Sequence, residues 1–188
     1  MLLRIWFLFV FTSVAYGENA CRPRVGADDY VIGYGSLMSL ASTMRTVPSA
    51  SARFPVRVHG FSRNFSADVD IYGLGVTFLA AQRAEKSATL NGILMKVAPS
   101  DIQALDARES VYCRVQVPLS ALSAYASNAL PMAENARVWI YVRDVQKIST
   151  TQSTSTRYKI VQSYVDEFLG GCLAVAEEFA ISDFAEDC

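Results

Sequence analysis

Two short stretches carry residues whose types and spacing could do chemistry. The first is Gly33-Tyr34-Gly35-Ser36-Leu37, which follows the apolar pair Val31-Ile32. Glycines at the exit of a buried strand let backbone come close to a ligand, and successive N–H groups in such a turn can cradle an anion. The second is Leu105-Asp106-Ala107-Arg108-Glu109-Ser110-Val111-Tyr112. Glu109 lies three residues after Asp106, so both carboxylates can share one side of a helix. A carboxylate where a helix hands over to an apolar strand can be partly desolvated, which raises its pKa toward the range useful for proton transfer. Each stretch also has a plainer reading, a simple corner for the first and a solvated helix end for the second. A third pairing, Cys113 with His59, would suit a thiol hydrolase. His59 is the only histidine, which excludes a His-rich metal site; no metal or cofactor is expected.

These residues need elements to position them. A strand through Val31-Ile32 delivers the first stretch, and a helix-compatible segment, 38–44, follows. Residues 56–61 alternate apolar and polar as a half-buried strand does. Residues 75–80 are β-rich and follow a turn signal at Tyr72-Gly73; Asn91-Gly92 reads as a turn before a strand over 93–97. Residues 112–117 alternate again, with Tyr112, Arg114 and Gln116 on one face and Cys113, Val115 and Val117 on the other. The last strand is 137–142. Ser100 and Gln103 have capping-box spacing, and the helix they open puts Ile102 and Leu105 on one face. Ile160, Val161, Tyr164 and Phe168 recur at helical spacing; Gly170-Gly171 is expected to stop that helix, with 172–179 resuming as a short one. The Ser/Thr-rich stretch 149–156 reads as an exposed connector. Strands dominate the middle without regular alternation with helices, which predicts an α+β domain around a curved sheet or small barrel.

Composition sets the outer bounds. The chain has 188 residues, 52% hydrophobic and 19% charged, enough apolar matter for a core. With a formal net charge of -1 there is no basic surplus to neutralise phosphates, so nucleic acid is not an expected partner. Arg4, the apolar run 5–14 and the small residues of Ala15-Tyr16-Gly17 predict a signal peptide over 1–17, cleaved after Gly17. The apolar run is too short to span a membrane comfortably, so no stable insertion is expected after cleavage. The expected product is an exported protein, periplasmic or extracellular, made of a single domain over 18–188. Its four cysteines, Cys21, Cys113, Cys172 and Cys188, suggest disulfides with three full pairings. Domain termini are often close together, which favours Cys21–Cys188.

The order of motifs adds a resemblance. Tyr-Val-Ile-Gly-Tyr-Gly-Ser-Leu-Met at 30–38, Asn-Gly-Ile-Leu-Met-Lys-Val at 91–97, Leu-Asp-Ala-Arg-Glu-Ser-Val-Tyr-Cys-Arg-Val at 105–115 and the segment at 162–172 follow one another along residues 30–171. This resembles the γ-glutamylcyclotransferase family, including its glutathione-specific branch. The resemblance implies a small closed or nearly closed mixed β-barrel with flanking helices. It also implies cleavage of a γ-glutamyl compound to 5-oxoproline and a free amine. By position, Tyr34, Gly35, Ser36 and Leu37 would form the loop that binds the γ-glutamyl group. Glu109 would be the catalytic acid/base, and Tyr112 and Tyr158 would be pocket walls. The partner implied is a small-molecule γ-glutamyl substrate. A non-catalytic binding module on the same fold is the alternative, because a fold does not dictate function.

Overall fold

The computed structural model describes residues 21–26, 28–50, 52–125, 130, 132–144 and 158–188. The expected leader and the stretch 149–156 lie outside the described residues. Among the described residues there are nine strands, β1 (Asp29–Gly33), β2 (Arg53–His59), β3 (Phe61–Ile71), β4 (Leu74–Arg83), β5 (Thr89–Val97), β6 (Tyr112–Val117), β7 (Leu122–Ala124), β8 (Arg137–Arg143) and β9 (Lys159–Ile160). Among the described residues the α-helices are α1 (Leu40–Met44), α2 (Pro99–Arg108) and α3 (Gln162–Glu178). The strands form one mixed sheet in the order β3-β4-β8-β1-β5-β2-β7, with β6 also paired to β8 and β9 to β4. The sheet curves into a nearly closed barrel, as the resemblance implied.

β1 is the axis of this arrangement. It runs antiparallel to β5 and parallel to β8, so both its edges are used, and all five of its residues are buried. Val31, Ile32, Leu94, Met95 and Ile140 supply fully buried side chains on these central strands. The reading of 56–61 as one strand needs correction. The chain bends at Gly60, whose φ of 77° suits glycine, so β2 pairs with β5 while β3 leaves to pair with β4. β3 itself was not expected, although Phe61, Phe65, Ala67, Val69 and Ile71 alternate with Ser62, Asn64, Ser66, Asp68 and Asp70 as a half-buried strand does. The turn at Tyr72-Gly73 joins β3 to β4 as its sequence suggested.

Asn91-Gly92 is not a turn. Both residues lie inside β5, paired with Arg57 and Val56. Asn91 is buried, and its amide donates to the carbonyl of Phe184 at 2.7 Å. A Cβ on residue 92 would stand 2.7 Å from the carbonyl oxygen of Gly33, so close strand packing demands this glycine.

Two helix readings change as well. Ser100 is not a cap: α2 begins at Pro99, and the Asp101 carboxylate accepts from the N–H of Ala98 at 3.2 Å. Gly170-Gly171 does not end a helix, since α3 runs unbroken through it. A Cβ at Gly171 would lie 2.9 Å from the Ser39 nitrogen, so this glycine lets α3 pack onto the backbone that follows β1.

The cysteines pair as Cys21–Cys113 and Cys172–Cys188. The expected Cys21–Cys188 staple is therefore wrong. Cys21 lies beside β6, where Arg22 N–H donates to the carbonyl of Arg114 at 3.0 Å. Cys188 lies against Asn91 of β5, so the two ends reach different parts of the sheet. Two disulfides are of the kind that persist in oxidising compartments. Among the described residues, no helix is long and apolar enough to cross a membrane.

Candidate active site

The chain leaves β1 at Gly33, passes Tyr34 and Gly35, and makes a short 3-10 turn over Ser36–Met38 before α1. Five consecutive carbonyls in this segment are tied back to the protein. Arg63 donates to that of Tyr34 at 3.2 Å, and Met38 N–H to that of Gly35 at 2.9 Å. Ser39 N–H donates to the Ser36 carbonyl at 3.2 Å, the Thr43 hydroxyl to Leu37 at 2.7 Å, and Arg53 to Met38 at 2.9 Å. By contrast, no acceptor for the N–H groups of Gly35, Ser36 or Leu37 is found among the described residues. A loop with its acceptors satisfied and three successive donors open is suited to an anion.

Gly35, Ser36 and Leu37 line a cavity of about 30 Å³ together with Tyr34, Glu109 and Tyr112. Ile32, Leu79, Tyr141 and Tyr164 complete its wall. The sheet and α2 thus bring together the two stretches singled out in the sequence, about seventy residues apart.

Glu109 caps the C-terminus of α2, its N–H bonded to the Leu105 carbonyl at 2.7 Å. Its side chain is only 16% exposed, with Oε1 3.3 Å from Nε of Arg108. Burial pushes the Glu109 carboxyl above the ordinary range, and the neighbouring Arg108 charge pulls it partly back. A carboxylate held in this way takes up a proton more readily than an exposed one, which suits a group that must accept and return a proton. Asp106 proves different from Glu109. It accepts two bonds from Arg114, at 2.9 and 3.2 Å, and one from the Tyr141 hydroxyl at 2.7 Å. It is a structural anchor, neither a solvated charge nor a free base.

Four tyrosines surround the cavity. The Tyr34 hydroxyl donates to the Tyr141 carbonyl at 2.6 Å and that of Tyr112 to the Leu79 carbonyl at 2.8 Å. Burial pushes the phenols of Tyr34, Tyr112 and Tyr141 up, and that of Tyr164 up to about 12. All four are neutral around pH 7. Tyr158 precedes β9 and is absent from the lining of this cavity and of the space outside it. Its place as a wall is taken by Tyr164, on the first turn of α3. Tyr164 was visible in the sequence only as one of an apolar set at helical spacing, and nothing in that pattern separated a pocket wall from core. Its hydroxyl stands over Gly35, where a Cβ would come within 3.0 Å of it.

Cys113 is disulfide-bonded, which removes the thiol a Cys/His hydrolase would need. His59 is exposed on β2, 3.0 Å from the Ser123 hydroxyl.

Among solved structures, the chain is similar to a gamma-glutamyl cyclotransferase. The TM-score is 0.58 and the identity 16%, over 84% of this chain and 83% of that one. It is also similar to YkqA from Bacillus subtilis, with a TM-score of 0.51 and 14% identity over 77% of this chain and 48% of that one. At such identities the likeness establishes the fold, which is that of the gamma-glutamyl cyclotransferases. No protein-family model and no curated protein matches the chain.

Proposed function

We propose that the protein is a γ-glutamyl cyclotransferase that releases 5-oxoproline from γ-glutamyl amino acids, peptides or amines. The observation that carries this reading is the shared cavity. It contains one buried carboxylate with a raised pKa, Glu109, and a loop with three open N–H donors, Gly35 to Leu37.

The chemistry needs no more than these groups. The Glu109 carboxylate takes a proton from the substrate α-ammonium. The freed amine attacks the γ-carbonyl carbon, forming the ring C–N bond and an oxyanion. Backbone N–H groups of the loop suit either that oxyanion or the substrate α-carboxylate. Collapse breaks the original γ-amide bond, the Glu109 carboxyl returns its proton to the departing nitrogen, and the ring nitrogen gives up its second proton to the freed amine, which leaves as an ammonium. The attack is intramolecular, so orientation within a small cavity supplies much of the rate. The neutral tyrosines are hydrogen-bonding walls that leave the proton traffic to Glu109.

The reading is tested by incubating the oxidised protein with a panel of γ-glutamyl compounds and quantifying 5-oxoproline. Release by the wild type and its loss in Glu109→Gln would support the proposal. No release from any member of the panel would reject it in favour of a binding module.

A further inference from the structure

Beyond the inner cavity lies a more open space of about 320 Å³. Ser36, Glu109, Tyr112 and Tyr164 line both, so the two spaces adjoin at Glu109. The other walls of the outer space differ in character. Val69 and Ile71 come from β3, Phe78 from β4 and Val111 from the turn after α2. Ile71 is 40% exposed, and with the exposed Tyr72 and Leu74 it gives the β3–β4 hairpin tip an apolar lip.

Arg108 is the one cation among the described residues lining this space. Its guanidinium is fully committed. Nη1 donates to the Ser42 carbonyl and the Thr46 hydroxyl, each at 3.0 Å. Nη2 donates to the hydroxyls of Ser36 and Ser42, each at 2.9 Å, and Nε faces Glu109. A carboxylate entering the outer space would meet no free cation among these residues and would approach the Glu109 carboxylate. Like charges so placed disfavour binding.

We infer that this outer chamber receives the departing amine and selects γ-glutamyl conjugates whose amine carries a bulky apolar group and no carboxylate. The inference rests on the cyclotransferase reading, since that reaction puts the γ-amide beside Glu109 and the leaving group outward. Burying a phenyl-sized group against Val69, Ile71, Phe78 and Val111 should be worth about 10- to 100-fold in kcat/KM.

The experiment compares three substrates by 5-oxoproline release: γ-glutamyl-phenethylamide, γ-glutamylphenylalanine and γ-glutamylglycine. The first two differ by one carboxylate, and the last two by one apolar side chain. The expected order of kcat/KM is phenethylamide, then phenylalanine, then glycine, with at least ~10-fold between the extremes. Ile71→Ser, at a part-exposed site, should narrow that ratio by roughly 3- to 10-fold with an unchanged melting temperature. Equal turnover of all three, or a preference that Ile71→Ser does not alter, would overturn the inference while leaving the reaction intact. If none of the three released 5-oxoproline, the reaction itself would fall. Calorimetric titration would then decide the chamber: tighter binding of the phenethylamide supports it, and equal binding overturns it.

Discussion

The guanidinium of Arg108 donates to the hydroxyl of Ser36 across 2.9 Å, which bonds the end of α2 directly to the loop on the other side of the cavity. The residue after Arg108 is Glu109. One side chain therefore sets the distance between the proposed base and the proposed anion cradle, while its charge tempers the base.

Arg108 is accordingly expected to show two separable effects. Arg108→Lys keeps the charge but loses the planar fork, and kcat should fall about 10- to 100-fold as the loop and Glu109 lose register. Arg108→Gln also removes the charge that pulls the Glu109 pKa down. Its acid limb in a pH–rate profile should lie at higher pH than that of Arg108→Lys.

Glu109→Gln should lower turnover by ~100- to 10,000-fold with substrate binding largely kept. In the wild type the active form is the carboxylate, so activity is full above the raised pKa and lost as pH drops through it. Stability runs the other way. Between the ordinary and the raised pKa, the folded chain holds a proton that the unfolded chain releases, so the contribution of Glu109 falls as pH rises through that window. The Gln variant should melt above the wild type at neutral pH, as calorimetry would show.

Gly35→Val should abolish turnover and leave the circular dichroism spectrum native. Its Cβ would crowd the Tyr164 hydroxyl, at 3.0 Å, and its branches would enter the cavity. Retention of full activity would remove the loop from the site.

Asp106→Ala should act through stability. Arg114 is 3% exposed at its side chain and its guanidinium stacks 4.7 Å from the Trp139 ring centroid, so losing the carboxylate leaves a buried cation unpaired. A cost of about 3 kcal/mol, near the low end for breaking a buried pair, should appear as a lower urea midpoint.

Cys188→Ser should loosen the C-terminal tail. The Cys172–Cys188 bond closes a loop with a sequence separation of 16, a length for which a disulfide contributes about 3 kcal/mol. The tail also carries Asp183, paired with Arg57 at 2.5 Å, and Phe184, buried against the core. Protease accessibility after residue 178 should rise with the substitution.

Much of this protein was legible before folding was considered. Residues 112–117 alternate as β6 does, the turn at Tyr72-Gly73 is local chemistry, and Ile102 and Leu105 share the buried face their spacing implied. Motif order pointed to Glu109 and to the loop at 34–37, because sequence motifs record which residues must meet even when nothing local shows where. What eluded the sequence depended on contacts between distant segments. Asn91-Gly92 has the composition of a turn and is a strand, because the Gly33 carbonyl packs where a side chain would be. Gly170-Gly171 has the composition of a stop and is a helix, because Ser39 approaches from another part of the chain. Disulfide partners, the anchoring of Asp106 by Arg114 and the entry of Tyr164 in place of Tyr158 were likewise decided by tertiary structure. Propensity is a property of a few neighbouring residues, whereas a close approach, a cysteine pairing or a cavity wall exists only once separate strands and helices occupy the same space.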